Sequence, residues 1–147
     1  QACHMVDMIY WLLEDPNMEA WGRMGPIHPT LQIPMDITIS LASSNGTLVT
    51  AAQSFNNHGG IHGYYRFIGE EETYIFDKGS LTDHQGNPVA VDEGPSGVDL
   101  QDAEFFAAIA ENRPALTSCS ECLPVMEIVD RVQKAMDGSD GAPSMPR

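Results

Sequence analysis

The stretch MDITISLASSNGTLVTAAQSF at positions 35–55 limits what this chain can fold into more than any other. Met35, Ile37, Ile39 and Leu41 alternate with Asp36, Thr38 and Ser40, the period of a strand with one buried face. Asn45-Gly46 is the strongest of the short hairpin signals, and residues 47–55 supply the returning strand. An antiparallel sheet with one apolar face follows, and that face needs a cover.

Two more pairs extend the meander. Residues 64–68 pair with 73–76, and residues 80–82 and 88–91 flank a turn at 84–87. Helices bracket the strands. The first spans about 2–14 and stops at Asp15-Pro16, since the residue before proline avoids the α region. Met5, Ile9, Leu12 and Leu13 form its packing stripe, while His4, Asp7, Met8 and Trp11 share the neighbouring face. Residues 15–34 read as a long ordered loop, functional or partner-covering. Asp99 marks a second helix start, with Phe105, Phe106, Ile109 and Ala110 as its buried face and an end at 112–114. Ser118 and Glu121 fit a capping box, although Pro124 places the start of regular helix nearer Glu121. Val125, Ile128, Val129, Val132 and Met136 then recur at helical spacing. Residues 139–147 lack any apolar period and read as a disordered tail, leaving 1–138 as the folded domain. The order predicts an α+β layer structure, an open and mainly antiparallel sheet with helices on one face. Its other face, apolar and short of helices, predicts a homodimer.

Charge narrows the partners. With 21 acidic and 7 basic side chains the formal net charge is -14, against nucleic acid and anionic membranes, which need clustered Lys and Arg. No apolar run approaches the roughly 20 residues of a membrane span. Three cysteines suit a reducing, cytoplasmic setting better than a disulfide framework. Cys119 and Cys122 have redox or zinc spacing, but without a second Cys pair they read as two small buried residues, and no metal is expected.

Three segments in order resemble one family. HMVDMIYWLL at 4–13 resembles the G-x-H-x-x-D-x-x-x-W-L-L helix that opens the C-terminal half of Gfo/Idh/MocA-type oxidoreductases. Residues 65–69 with 73–76 resemble its R-x-x-I-x-G-x-x-G-T strand pair, with Glu72 in place of the second glycine. DAEFFAAI at 102–109, then Arg113-Pro114 and Ser118, resemble its D-x-x-x-F-x-x-A-I…G-R-x-P…S segment. The resemblance implies a substrate-binding and dimerisation domain of an NAD(P)-dependent dehydrogenase. NADP or NAD would be held mainly by an N-terminal Rossmann domain. No GxGxxG follows a strand in this sequence, so the expectation is a C-terminal piece without its Rossmann half, inactive alone. Residues 28–36, 54–58 and 65–67 are most similar to members that oxidise a carboxylated semialdehyde, as its cyclic hemiacetal, in aromatic degradation by protocatechuate 4,5-cleavage.

The residues carry candidates of their own. Removing hydride from a carbinol needs a base for the hydroxyl proton, and an imidazole titrates near neutrality, so His4 is the catalytic candidate. Asp7, one turn on, would orient it; both could equally be solvated helix-surface residues. Arg66, between Tyr65 and Phe67, can take a carboxylate bidentately or pair with a neighbouring glutamate, and Arg23 is the second choice. Asn57, His58 and His62 form a polar cluster loosened by glycines, which argues against a helical His-x3-His zinc site. Two rivals stand beside the enzyme: a non-catalytic oligomerisation or ligand-binding module, and a metal-binding protein using the cysteines and histidines.

Overall fold

The computed structural model describes residues 2–59, 63–91 and 94–138. His62 and the tail at 139–147 lie outside the described residues. The elements run α1 (Ala2–Leu13), β1 (Glu19–Met24), β2 (Asp36–Ala42), β3 (Leu48–Ser54), β4 (Tyr64–Ile68), β5 (Thr73–Asp77), β6 (Ser80–Asp83), α2 (Gly97–Glu111) and α3 (Cys119–Met136). They fall into two compact units, Gln1–Asn56 with Pro114–Arg147, and Asn57–Arg113. The α+β class holds, with the antiparallel strands divided between two three-stranded sheets, β1-β2-β3 and β4-β5-β6.

The first unit is built on the hairpin. The Gly46 amide donates to the Ser43 carbonyl and the Ser43 amide to the Thr47 carbonyl, both at 2.9 Å, with Gly46 at φ +92°. Asn45 keeps a negative φ, so this is a type I turn completed by a left-handed glycine rather than a two-residue turn. Strand alternation aims Ile39 and Leu41 at the helices, as the pattern predicts. They meet Val6 and Ile9 of α1, Met18, and Val125, Ile128 and Val132 of α3 in one buried cluster. Helix α3 packs closely on β1 at Gly22, where a Cβ would stand 3.1 Å from Met136 Cγ and 3.2 Å from the Thr38 carbonyl oxygen. Helices therefore back one face of this sheet.

Four expectations are corrected here. The stretch read as loop contains β1, which pairs in register with β2 from Glu19↔Ala42 to Met24↔Ile37. The EAWGRM strand lacks an apolar alternation because its inward positions are Ala20 and Gly22, small enough for a close-packed helix. On α1 the buried residues are Val6 and Ile9, and Leu12 is exposed, because the stripe that meets the core runs through Ala2, Met5, Val6, Ile9 and Leu13. Helix α3 starts at Cys119, capped by Ser118, since Pro124 removes only one N–H from an otherwise continuous helix. Residues 88–91 shrink to a single bridge, Thr82↔Pro88, flanked by hydrogen bonds from the Asp83 amide to the Asn87 carbonyl and from the Val89 amide to the Leu81 carbonyl, and Pro88 itself has no N–H to add to a ladder.

The second unit holds β4–β6 and α2. A tight turn at Lys78-Gly79, with φ +50° and +83°, joins β5 to β6 in the mirror-image geometry that suits hairpins. Helix α2 is capped by the Ser96 hydroxyl, which accepts from the Asp99 amide, and ends at Asn112 in the left-handed conformation. Its expected buried face is a further correction. Phe105, Phe106 and Ile109 are exposed and Ala108 is the buried position, because the unit offers α2 no apolar cluster to pack upon.

Candidate functional site

Helix α1 presents the first candidates. Burial of Val6 and Ile9 fixes its rotation, and that rotation turns His4, Asp7 and Trp11 outward, with Trp11 74% exposed. His4 and Asp7 stand one turn apart on this open face. Among the described residues no hydrogen bond or ion pair engages the imidazole.

The second set lies in the other unit. Arg66 sits on β4 opposite Ile75, exposed and, among the described residues, without an ion-pair partner, so the alternative of a glutamate pairing is not made. Asn57 donates its side-chain amide to the Gly59 carbonyl at 2.5 Å, leaving its side-chain oxygen available, and His58 is exposed beside it. His4 and Asp7 thus belong to one unit, and Asn57, His58 and Arg66 to the other.

Sequence reasoning passed over a cleft of about 330 Å³ lined by Gly63, Tyr65, Phe76, Lys78 and Gly79. Its floor is the tilted Tyr65–Phe76 pair, with ring centroids 5.9 Å apart. Gly63 approaches closely, and a Cβ there would lie 3.0 Å from the Tyr65 ring, which would have to give way slightly. The register puts Tyr65 with Phe76 and Arg66 with Ile75, so Arg66 faces away from this cleft. The Lys78-Gly79 turn between two strand runs was the signal available for it.

Several polar clusters shape the surroundings. His84 Nδ1 lies 2.6 Å from Glu72 Oε1, and this contact raises the imidazole pKa and lowers that of the carboxyl. Arg113 clamps Glu104 through two hydrogen bonds of 2.6 and 2.8 Å and reaches Glu111 at 2.6 Å, which holds its guanidinium still more firmly protonated. Asp36 accepts from the Ser54 hydroxyl at 2.6 Å and the Asn56 amide at 2.8 Å, which lower its pKa. His28 Nδ1 takes the Thr30 and Leu31 amides at 3.2 Å, ordering the loop after β1. Cys119 and Cys122 are exposed, not buried as expected, because the core-facing positions of α3 begin at Val125. No group of three or more His, Cys, Asp or Glu among the described residues is placed to hold a metal ion. No helix among them is long and apolar enough to cross a membrane.

Comparison with known proteins sets these features in a family. The family model described as bacterial oxidoreductases, C-terminal, matches residues 1–94. A 4-carboxy-2-hydroxymuconate-6-semialdehyde dehydrogenase from Sphingobium sp. (strain NBRC 103272 / SYK-6) is 33% identical over 139 residues, 92% of this chain. The chain spans 44% of that relative's length. Among solved structures, the aldose-aldose oxidoreductase from Caulobacter crescentus, complexed with glycerol, superposes with a TM-score of 0.77 at 11% identity, covering 93% of this chain and 44% of its own. The WlbA dehydrogenase from Bordetella pertussis, in complex with NADH and UDP-GlcNAcA, gives 0.70 at 14% identity over 95% of this chain and 42% of its own. The chain belongs to the family of bacterial oxidoreductase C-terminal domains.

Proposed function

We propose that residues 1–138 are the substrate-binding and dimerisation domain of a cytoplasmic NAD(P)-dependent dehydrogenase. Its substrate is a carboxylated semialdehyde in the cyclic hemiacetal form, within aromatic degradation by protocatechuate 4,5-cleavage. The observation that carries this reading is the 33% identity, over 92% of the chain, to a dehydrogenase of a carboxylated semialdehyde. The cradle for a dinucleotide is not found among the described residues, whose strand pairings are all antiparallel, and we assign NADP or NAD to an N-terminal Rossmann domain. When bound, the nicotinamide supplies the hydride acceptor.

The residues of this chain supply the rest. His4 takes the hydroxyl proton as the hemiacetal carbon is oxidised to a lactone, and Asp7 orients the imidazole. Arg66 holds a substrate carboxylate, and the unpaired guanidinium supports that role. His58 and the free oxygen of Asn57 add hydrogen bonds. The uncovered face of β1–β3, where Trp21 and Leu48 are exposed, serves as the dimer surface. In the enzyme carrying both halves, His4→Asn lowers kcat by about 10²–10⁴-fold with an unchanged denaturation midpoint. Retention of near-normal turnover removes His4 from the chemistry. A purified chain that stays inactive even when joined to its cofactor half, yet dimerises, identifies it as an oligomerisation module instead.

A further inference from the structure

The proposed function makes no use of Cys119 and Cys122. Both are free thiols exposed to solvent at the start of α3, three residues apart. Side chains at that spacing share one helix face, with Cβ atoms roughly 5–6 Å apart. A disulfide holds its Cβ atoms at roughly 3.5–4.5 Å, so the first turn needs to tighten by about 1–2 Å to close one.

A backbone hydrogen bond holds this turn, from the Cys122 amide to the Ser118 carbonyl at 3.1 Å, and the other ties are weak or missing. Its cap, Ser118 Oγ, receives the Glu121 amide at 3.4 Å, a long contact, and also faces Ser120 Oγ at 2.9 Å. Pro124 has no N–H to give the Ser120 carbonyl, so the helical ladder lacks a rung directly beneath the two cysteines. The core contacts of α3 start only at Val125, so the turn can adjust without moving buried side chains. Cys3, half-buried on α1, is the other cysteine of the chain.

We propose that Cys119 and Cys122 are a redox-active dithiol that closes reversibly into a disulfide across the first turn of α3, with a small-molecule disulfide as oxidant. One cysteine thiolate attacks the oxidant, forming a mixed disulfide and releasing the first thiol. The second thiolate then attacks the protein-bound sulfur and expels the second thiol. Two S–H bonds are lost and one S–S bond forms. The oxidant takes two electrons, and the protons end on the released thiols.

The full chain, incubated with oxidised glutathione and then alkylated, tests this by intact mass and peptide mapping. The expected result is loss of two of the three alkylatable thiols, a mass lower by two hydrogens, and a crosslink between Cys119 and Cys122. The yield is independent of protein concentration and reverses in excess reduced glutathione. Three persistent thiols, stable glutathione adducts on the unmodified sequence, or links through Cys3 or between chains each overturn the proposal.

Discussion

The two sheets of this protein share an architecture and differ in what backs them. Each has three antiparallel strands in sequential order. Yet the whole buried apolar cluster, from Val6 to Val132, lies in the first unit, where α1 and α3 cover β1–β3. In the second unit Ala108 is the buried apolar residue among those described, and Phe105, Phe106 and Ile109 of α2 face solvent. That unit is ordered instead by turns and polar contacts: the Lys78-Gly79 turn, Asp83 with Asn87, Glu72 with His84, and Glu104 with Arg113. Strand pairing is thus separable from core formation. Pairing needs matched strands and a competent turn, whereas a core needs a second apolar layer.

The sharpest way to break this contrast is a matched pair of truncations. Ile128→Ala, at a fully buried position, costs roughly 2–5 kcal/mol, while Phe106→Ala, 66% exposed, stays within about 0.5 kcal/mol. Equal shifts in denaturation midpoint would mean α2 has an apolar cover. Next in size is Gly22→Val, which drives a side chain into Met136 and the Thr38 carbonyl and costs about 1–3 kcal/mol by the same measurement. A neutral result would show that α3 does not rest on β1 at this point.

Asp15 offers a smaller effect with a pH signature. It is buried, and the Ser44 amide, the Ser43 hydroxyl and the Asn17 amide hold its carboxyl far below the ordinary aspartate value of 3.8. A depressed folded pKa contributes stability that is complete above the unfolded value and disappears as pH falls toward the folded one. Asp15→Asn therefore lowers stability at pH 7 and flattens its decline below about pH 4. An unchanged acid limb would contradict this. The smallest expected change belongs to the second unit. Glu72 raises the pKa of His84 above the ordinary 6.5, so this contact contributes below that value and fades as pH rises through the raised one. The contact also needs Glu72 ionised, and that carboxyl lies below the ordinary 4.5. An NMR titration finds the His84 midpoint above 6.5, and Glu72→Gln brings it down with little change in melting, as exposed pairs contribute little.

Much of this fold was legible from particular residues. The alternation from Met35 to Leu41, the glycine at 46 and the runs on either side of Lys78-Gly79 mark strands and turns through local stereochemistry. Ser118 and Glu121 offered a cap for α3, against which Pro124 argued for a later start, and Val125, Ile128 and Val132 marked its core face. The strand at Glu19–Met24 was hidden because its inward residues are small, chosen to admit a helix. Phe105 and Phe106 looked buried because periodicity reports what a residue would bury, not whether a partner stands opposite. On the site, the outward face of His4 and Asp7 was readable from helical spacing, while the Tyr65–Phe76 cleft joins residues from two strands and leaves no mark in either alone.

The sequence by itself determined the three helices, the strands with an apolar alternation or a clear turn beside them, their antiparallel order and which residues could carry chemistry, since backbone stereochemistry and turn preference act over a few neighbours. Only the tertiary structure decided which apolar faces found a cover, that Gly22 lies under Met136, and that both thiols of the 119–122 pair meet solvent. Burial depends on surfaces brought together from distant parts of the chain, and no local pattern encodes their meeting.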